Sequence, residues 1–364
     1  MSSIKKIGIL TGGGDCPGLN PVIRAATRTA ILKYGLEVVG IRNGYRGLYL
    51  GDFTPLTLEN ISGILPLGGT ILHSSNKDNL FQYPFEENGE TVLKDVSHVG
   101  VENLKKAGID AMLIVGGDGT LTSGRDFSNL GVRVIGVPKT IDNDLASTDV
   151  TFGFDTAVSV ATEALDRLHT TASSHHRIMV LEVMGRYAGW IGLNAGIAGG
   201  ADAIMIPEIP YDINKIANAI NTRKKFGKTF SVIVASEGAK SVNGEMVVSK
   251  VVENSPDPIR LGGIGAKVAD ELEQLCGLEA RATTLGHIQR GGTPTAYDRI
   301  LSTRYGSYAV DLAMEGKFGN MVTLKGNEMS YDSLNNVIGQ KTKNVNPNGE
   351  LVRFAKNIGI SFGD

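Results

Sequence analysis

Cysteine is nearly absent, with only Cys16 and Cys276 among 364 residues. They stand far apart without metal-ligand spacing, which excludes a disulfide framework and a zinc site. Net charge is also scarce: 36 basic against 38 acidic residues leave −2 at neutral pH. No bulk field therefore draws the chain to nucleic acid or to an anionic membrane, and any anionic ligand must be held by local cations. No apolar run is long enough to span a bilayer. The start, Met1 to Lys6, leads straight into Ile7-Gly8-Ile9-Leu10 with neither an apolar core nor a small-residue cleavage pattern, so no signal peptide and a cytoplasmic location are expected. Short-period repeats and low-complexity tracts are missing as well.

What is abundant is glycine, 47 residues of it, much of it at the ends of short β-branched runs. Those runs are Lys6 to Leu10, Val38 to Ile41, Ala111 to Val115, Arg133 to Val137, Ile178 to Val183, Ala203 to Ile206 and Phe230 to Ala235. Helical patterns fall between them at Asn20 to Tyr34, Val96 to Ala107, Phe154 to Thr170, Ala188 to Ala198, Asn214 to Phe226 and Ile264 to Cys276. Such alternation means an α/β fold, and strands without polar interruption mean mostly parallel sheets covered on both faces. A chain of this length exceeds one core. Two Rossmann-like lobes are expected, with the active site in the cleft between them. Residues 1–150 plus about 288–325 form one lobe, and 151–287 plus about 326–364 the other. Lys325 to Gly349, polar and rich in Asn, reads as loop.

Two acidic turns close neighbouring strands. Gly116-Gly117-Asp118-Gly119-Thr120 follows one, and Pro138-Lys139-Thr140-Ile141-Asp142-Asn143-Asp144 follows the other. In an open parallel sheet ligands bind beyond the carboxyl ends of the strands, and a glycine turn entering a helix offers N–H groups to phosphate. Asp118 is then a magnesium ligand and Asp142 a candidate base. The simpler alternatives are a solvated Asp in a tight turn and an Asx-rich cap. Thr11 to Asn20 also suits a phosphate, although Pro17 breaks the dinucleotide fingerprint and no Gly-Lys-Ser/Thr ending makes it a P-loop. Cys16, beside that turn, reads as a packing residue.

Candidate cations and polar groups recur in Ser173 to Arg177, Met184-Gly185-Arg186, Ser236-Glu237-Gly238, Arg281 and Gly286 to Gly292. Arginine is the expected clamp, since its planar fork gives two parallel charge-assisted hydrogen bonds to a phosphate. Taken singly, each arginine reads as a surface charge. His175 and His176 lack the spacing of a helical metal pair. Arg223 to Lys225 end a helix, where cations are favoured anyway.

Taken in order, Thr11 to Asn20, Gly116 to Thr120, Pro138 to Asp144, His176-Arg177, Met184 to Arg186, Glu237-Gly238 and His287 to Gly292 resemble the 6-phosphofructokinases, from about Lys5 to Ala313. The resemblance implies transfer of a phosphoryl group to the 1-hydroxyl of fructose 6-phosphate, with Asp142 as base, Thr140 and Arg186 beside it, and Mg2+ on Asp118. It implies a donor site from Gly13, Gly14, Asn76, Lys77, Gly117, Asp118, Gly119, Thr120 and Lys139. The sugar pocket would use Thr140, Ile141, Asp142, Met184, Gly185, Arg186, Glu237, His287, Ile288, Gln289 and Arg290. Arg177 and Arg281 resemble arginines lent by a neighbouring subunit, so a homo-oligomer with shared sites is implied, a tetramer before a dimer. Gly119 resembles ATP users of the family, and Lys139 resembles pyrophosphate users. Gly119 carries more weight because a missing side chain admits a nucleotide outright, whereas a lysine reaches the phosphate of either donor. Arg24, Arg28, Asp202 and Lys228 match the effector pattern of allosteric members, with His169 where arginine is usual. Alternatives from other classes are a lipid or NAD kinase, a dehydrogenase, and a non-catalytic nucleotide-sensing subunit of the same fold. Nucleic acid and membrane are not expected partners.

Overall fold

A computed structural model describes residues 4–87, 89–251, 259–339 and 342–364. In chain order the elements are β1 (Lys6–Thr11), α1 (Leu19–Tyr34), β2 (Glu37–Ile41), α2 (Gly44–Leu50), β3 (Phe53–Pro55), β4 (Tyr83–Glu87), β5 (Glu90–Lys94), α3 (Ser97–Lys106), β6 (Ala111–Gly116), α4 (Asp118–Asn129) and β7 (Val134–Pro138). Then come α5 (Phe154–His175), β8 (Ile178–Val183), α6 (Trp190–Ala198), β9 (Ala203–Met205), α7 (Ile213–Lys225), β10 (Ser231–Ser236), β11 (Val248–Val251), β12 (Ile259–Leu261), α8 (Ile264–Cys276) and β13 (Ala280–Thr284). A 3-10 turn (Gly286–Arg290) leads to α9 (Ala296–Met314), β14 (Asn320–Lys325), β15 (Glu328–Ser333), α10 (Leu334–Val337) and α11 (Glu350–Asn357). Among the described residues no helix is long and apolar enough to cross a membrane.

The chain divides into two compact units. Unit 1 comprises Met1–Ile141, Leu145–Gly153 and Arg290–Lys341; unit 2 comprises Asp142–Asp144, Phe154–Gln289 and Thr342–Asp364. The expected α/β class is present in both, each built on a parallel sheet.

Unit 1 holds a seven-stranded sheet in the order β15-β14-β7-β6-β1-β2-β3, in which only the edge pairs β14/β15 and β2/β3 are antiparallel. Every residue of β6 and β7 is buried, as continuous apolar strands covered on both faces should be. Leu10, Ile114, Leu121, Phe127, Val134 and Met321 form part of one core, each worth roughly 1.5–3 kcal/mol of transfer free energy when fully buried. Residues from 290 onward return to this unit through α9, which lies against α1 so closely that a Cβ on Gly306 would fall 2.5 Å from the Val22 carbonyl. The segment after 325 differs from the expected division. β15 pairs along its whole length with β14, so Glu328 to Val337 stay in unit 1 and form strand and helix in place of a loop. Gln340 and Lys341, inside the same expected loop, lie outside the described residues.

Unit 2 holds a four-stranded sheet, β13-β8-β10-β9, parallel throughout. Ile178, Val180, Ile216, Ile233, Val268 and Leu272 belong to its core. Helix α5 runs five residues past the expected end at Thr170, where Ala172 continues its buried face, while Thr170 Oγ1 donates to Arg167 O and Ser174 Oγ to Thr170 O at 2.8 Å each. It stops at His176, which takes a left-handed φ of 55°. The last residues, 342–364, pack on unit 2, where Ile204 N–H donates to Ser361 O at 2.9 Å and extends the sheet edge by one bridge.

Candidate active site

In unit 1 the carboxyl ends of β7, β6 and β1 are neighbours in the sheet, and their turns are bonded to one another. Gly12 N–H donates to Val115 O at 2.9 Å, and Lys139 N–H to Gly116 O at 2.9 Å. The 73–78 loop joins them: Gly13 N–H donates to Ser75 O at 3.0 Å, and Ser74 Oγ to Gly13 O at 2.5 Å. Gly13 is favoured by its conformation, and Gly14 leaves room for a close side chain. Gly13 has φ 77°, in the left-handed region, and a Cβ on Gly14 would lie 2.2 Å from Arg290 Nη1. Lys139 is 5% exposed, and its Nζ donates to Gly14 O. A buried ammonium and a guanidinium therefore flank one stretch of main chain.

Beyond β6, Asp118 opens α4 in its first turn, exposed, with Gly119 beside it. Thr120 turns inward, pressed so tightly against the first loop that a Cβ on Gly12 would be 2.6 Å from its Cγ2. Gly119 is different: a Cβ there meets nothing within 4 Å. The carboxylate of Asp118 supplies one hard oxygen, which suits Mg2+, an ion that keeps several waters and completes its shell from substrate phosphates. Among the described residues no group of three or more His, Cys, Asp or Glu gathers to hold a metal. Thr140 follows Lys139, its carbonyl accepting from Thr151 Oγ1 at 2.7 Å. Asn76 and Lys77 lie in the 73–78 loop, with Lys77 exposed and its N–H 3.4 Å from Ser75 Oγ.

Unit 2 ends its strands in side chains of another kind. After β8 come Met184, Gly185 and Arg186; after β10 come Glu237 and Gly238. Glu237 N–H donates to Val183 O at 2.8 Å and Gly238 N–H to Gly185 O at 3.2 Å, stitching the two turns. Arg186, Gly238 and Lys240 line a pocket of about 300 Å³ together with Thr342 and Asn344. Gln289, expected to face the sugar, is fully buried and accepts the Met184 N–H on its Oε1 at 2.8 Å. His287 and Ile288 are exposed. Arg290 belongs to unit 1, where its guanidinium lies against Gly14. Asp142 belongs to unit 2, half-buried, with Asn143 behind it at φ 52° and 5% exposure.

Arg177 and Arg281 lie at the opposite end of the unit 2 sheet from Arg186. In the β13/β8 register Ala280 pairs with Ile178 and Arg281 with Met179, so both arginines stand at the amino ends. Six residues of β8, roughly 20 Å, separate Arg177 from the Met184 turn, and Arg281, in register with Met179, stands two positions nearer. Glu279 lies between the arginines, accepting from Arg177 Nε at 2.5 Å and from Arg281 Nη2, and this pairing holds its carboxyl below the usual range. Of the effector-like residues, Asp202 is engaged by Arg223 at 2.8 Å and by Val232 N–H at 3.0 Å, and burial raises its pKa. His169 Nε2 is bonded to Gly199 O at 2.7 Å.

Cys16 is a packing residue, 1% exposed, its thiol pushed up to about 12 by burial. Sequence reasoning missed Trp190 and Glu208, which hold the final segment through Lys343 O and Val345 N–H, and Lys343 itself. Only their positions in an otherwise polar, loop-like stretch or beside a glycine turn could have drawn attention to them.

Residues 6–313 match the family model described as phosphofructokinase. The "ATP-dependent 6-phosphofructokinase 2" of Clostridium perfringens (strain 13 / Type A) is 69% identical over 366 residues, covering 100% of both chains. The "Pyrophosphate--fructose 6-phosphate 1-phosphotransferase" of Amycolatopsis methanolica is 49% identical over 329 residues, 89% of this chain and 92% of that one. Among solved structures, phosphofructokinase from Pichia pastoris in the T-state superposes with a TM-score of 0.78 at 31% identity, over 93% of this chain and 36% of that longer chain.

Proposed function

The chain belongs to the phosphofructokinase family, and we propose that it transfers the γ-phosphoryl group of Mg-ATP to the 1-hydroxyl of fructose 6-phosphate, giving fructose 1,6-bisphosphate. One observation carries this reading: the glycine turns after β1 and β6 and the Lys139 turn after β7 are hydrogen-bonded into a single face of unit 1, with Lys139 and Arg290 at Gly14. The amino end of α4, which follows the β6 turn, and two cations suit a donor's phosphates, since phosphoryl transfer depends on positioning and charge neutralisation with little covalent help. Asp118 would hold Mg2+, which when bound neutralises charge on the donor phosphates.

In the acceptor half, Asp142 accepts the proton of the 1-hydroxyl, with Thr140 and Arg186 as its partners in catalysis. Ile141, Met184, Gly185, Glu237, His287, Ile288 and Gln289 shape the sugar pocket, Gln289 from behind through Met184 N–H. Gly13, Gly14, Asn76, Lys77, Gly117, Gly119 and Thr120 serve the donor, and Arg290 serves both substrates. Arg177 and Arg281 stand too far along β8 to reach the Arg186 end of their own sheet, which supports their being lent to another copy in a homo-oligomer, a tetramer in this reading. The protein works in the cytoplasm on small phosphorylated substrates.

Pyrophosphate is the second reading for the donor, favoured by the buried Lys139 among the glycines and by the Amycolatopsis relative. Gly119 and the 69% identical ATP-dependent relative favour ATP. A regulatory, non-catalytic role is disfavoured because Asp118, Asp142 and Arg186 are all retained. Phosphorus NMR of a mixture of the protein, Mg-ATP and fructose 6-phosphate tests the conclusion. ADP and a sugar carrying a second phosphate on C1 should appear together. ADP formation without a new sugar phosphate, or no turnover at all, would overturn it.

A further inference from the structure

The turn that carries Asp142 is held by a segment beyond residue 313, where the family match ends. Lys343 bonds twice to this turn: its N–H donates to Asp144 O at 2.9 Å and its Nζ to Asn143 Oδ1 at 2.9 Å. The two positions after Asp142 are thus fixed by one residue 200 places away in the chain. Asn143 has a φ of 52°, in the left-handed region that residues with a side chain rarely adopt, Asn more readily than most.

Lys343 is itself anchored. Its carbonyl accepts from Trp190 Nε1 at 2.6 Å, and its Nζ lies 6.0 Å from the centre of that indole ring. Two residues on, Val345 N–H donates to Glu208 Oε1 at 2.8 Å, while the same carboxylate takes Gly189 N–H at 2.9 and 3.1 Å just before α6. Its neighbours Thr342 and Asn344 line the pocket beside Arg186. All of these groups belong to unit 2, so the segment links the Asp142 turn, the start of α6 and the wall of the pocket beside Arg186 within one compact body.

We propose that Lys343 is a positioning residue for Asp142: through Asn143 and Asp144 it sets where the carboxylate meets the acceptor hydroxyl. The inference rests on Asp142 being the base. Misplacing a reacting group by about 1 Å costs up to about 10²-fold in rate. Lys343→Met, which keeps the aliphatic stem, should lower kcat about tenfold or more while the KM values for sugar phosphate and donor stay within about threefold. Asn143→Gly removes the side-chain acceptor yet tolerates the positive φ, and should fall similarly. The double variant should be no more than about twofold worse than either single one, because both remove the same link. Lys343→Arg, which retains a cationic donor, should recover kcat to within about threefold of the native enzyme.

A folded Lys343→Met with kcat within twofold of native would overturn the proposal, as would a double-variant loss equal to the product of the single losses. Should Lys343→Met not be recovered folded, Asn143→Gly decides alone, and a kcat within twofold of native rejects the idea. Asp142→Asn run alongside separates the two levels. If it keeps native turnover, the base assignment fails; if it loses turnover while the Lys343 and Asn143 variants do not, only the positioning role fails.

Discussion

Unit 1 closes β1 and β6 in glycine, with one buried lysine and one arginine beside the first turn, whereas unit 2 closes β8 and β10 in Arg186 and Glu237, the β8 turn braced by Gln289. The difference is one of approach distance and selectivity. A turn without side chains lets backbone come within hydrogen-bond reach of a polyphosphate whatever the rest of the donor looks like. A sugar phosphate carries hydroxyls that must be told apart, and this takes forked and carboxylate side chains on rigid strand ends. In the proposed reading the same α/β plan serves two binding problems, and the residue type after each strand decides which.

The largest effect is expected at the proposed base. Asp142→Asn should lower kcat by about 10² to 10⁴-fold with the KM for fructose 6-phosphate nearly unchanged, as for loss of a general base; steady-state kinetics at saturating donor would show it. Next comes the glycine side of the comparison. Because a Cβ at Gly119 meets nothing within 4 Å, Gly119→Asp should melt within about 2 °C of the native protein. It should nevertheless cut kcat/KM for ATP by about 10 to 10²-fold, by placing a like charge and bulk in the nucleotide's path. An intact ATP response in that variant would break the contrast between backbone and side-chain recognition.

A smaller effect belongs to Glu208. Burial pushes its pKa above the ordinary 4.5, against the Gly189 and Val345 N–H groups, which pull it down. An acid raised in the folded state contributes its full stability below pH 4.5 and loses it as pH climbs through the raised value. Glu208→Gln keeps an oxygen acceptor and cannot ionise, so it should melt slightly higher than native at pH 7, by at most about 2 °C, with the gain fading toward pH 4. Scans at the two pH values would reveal the opposite trend if burial were not the governing cause. The smallest effect is a null one. Burial raises both thiols, Cys16 to about 12, so a thiol reagent at pH 8 should label neither until the chain unfolds.

What could be read in the sequence follows burial. Strands β1, β6, β7, β8 and β10 are continuous apolar runs and were legible within a residue or so at each end. Helix α4 was not, since Asp118, Gly119 and Thr120 look like turn although Leu121 and Phe127 bury its inner face. Helix α9 was obscured because its buried positions include Asp298, Ser302 and Gly306, small or polar residues that allow close approach to α1 and erase the apolar stripe. Strands β13 and β15 alternate Thr, Ser and charged residues at sheet edges, where pairing and not hydrophobicity defines the strand. At the candidate site the glycine turns announced themselves by composition. The place of Arg290 beside Gly14, and the grip of Lys343 on Asn143, depend on contacts between residues more than a hundred positions apart, which no local pattern encodes.

The most direct test of the central claim, that the glycine face of unit 1 accepts a nucleotide donor, is a paired assay with fructose 6-phosphate as acceptor at one fixed magnesium concentration, ATP in one arm and pyrophosphate in the other. ATP should support turnover and pyrophosphate less than about a hundredth of it, a gap of at least about 2.7 kcal/mol in transition-state stabilisation. Robust turnover with pyrophosphate alone would contradict the account and assign the face to Lys139 and a small inorganic donor.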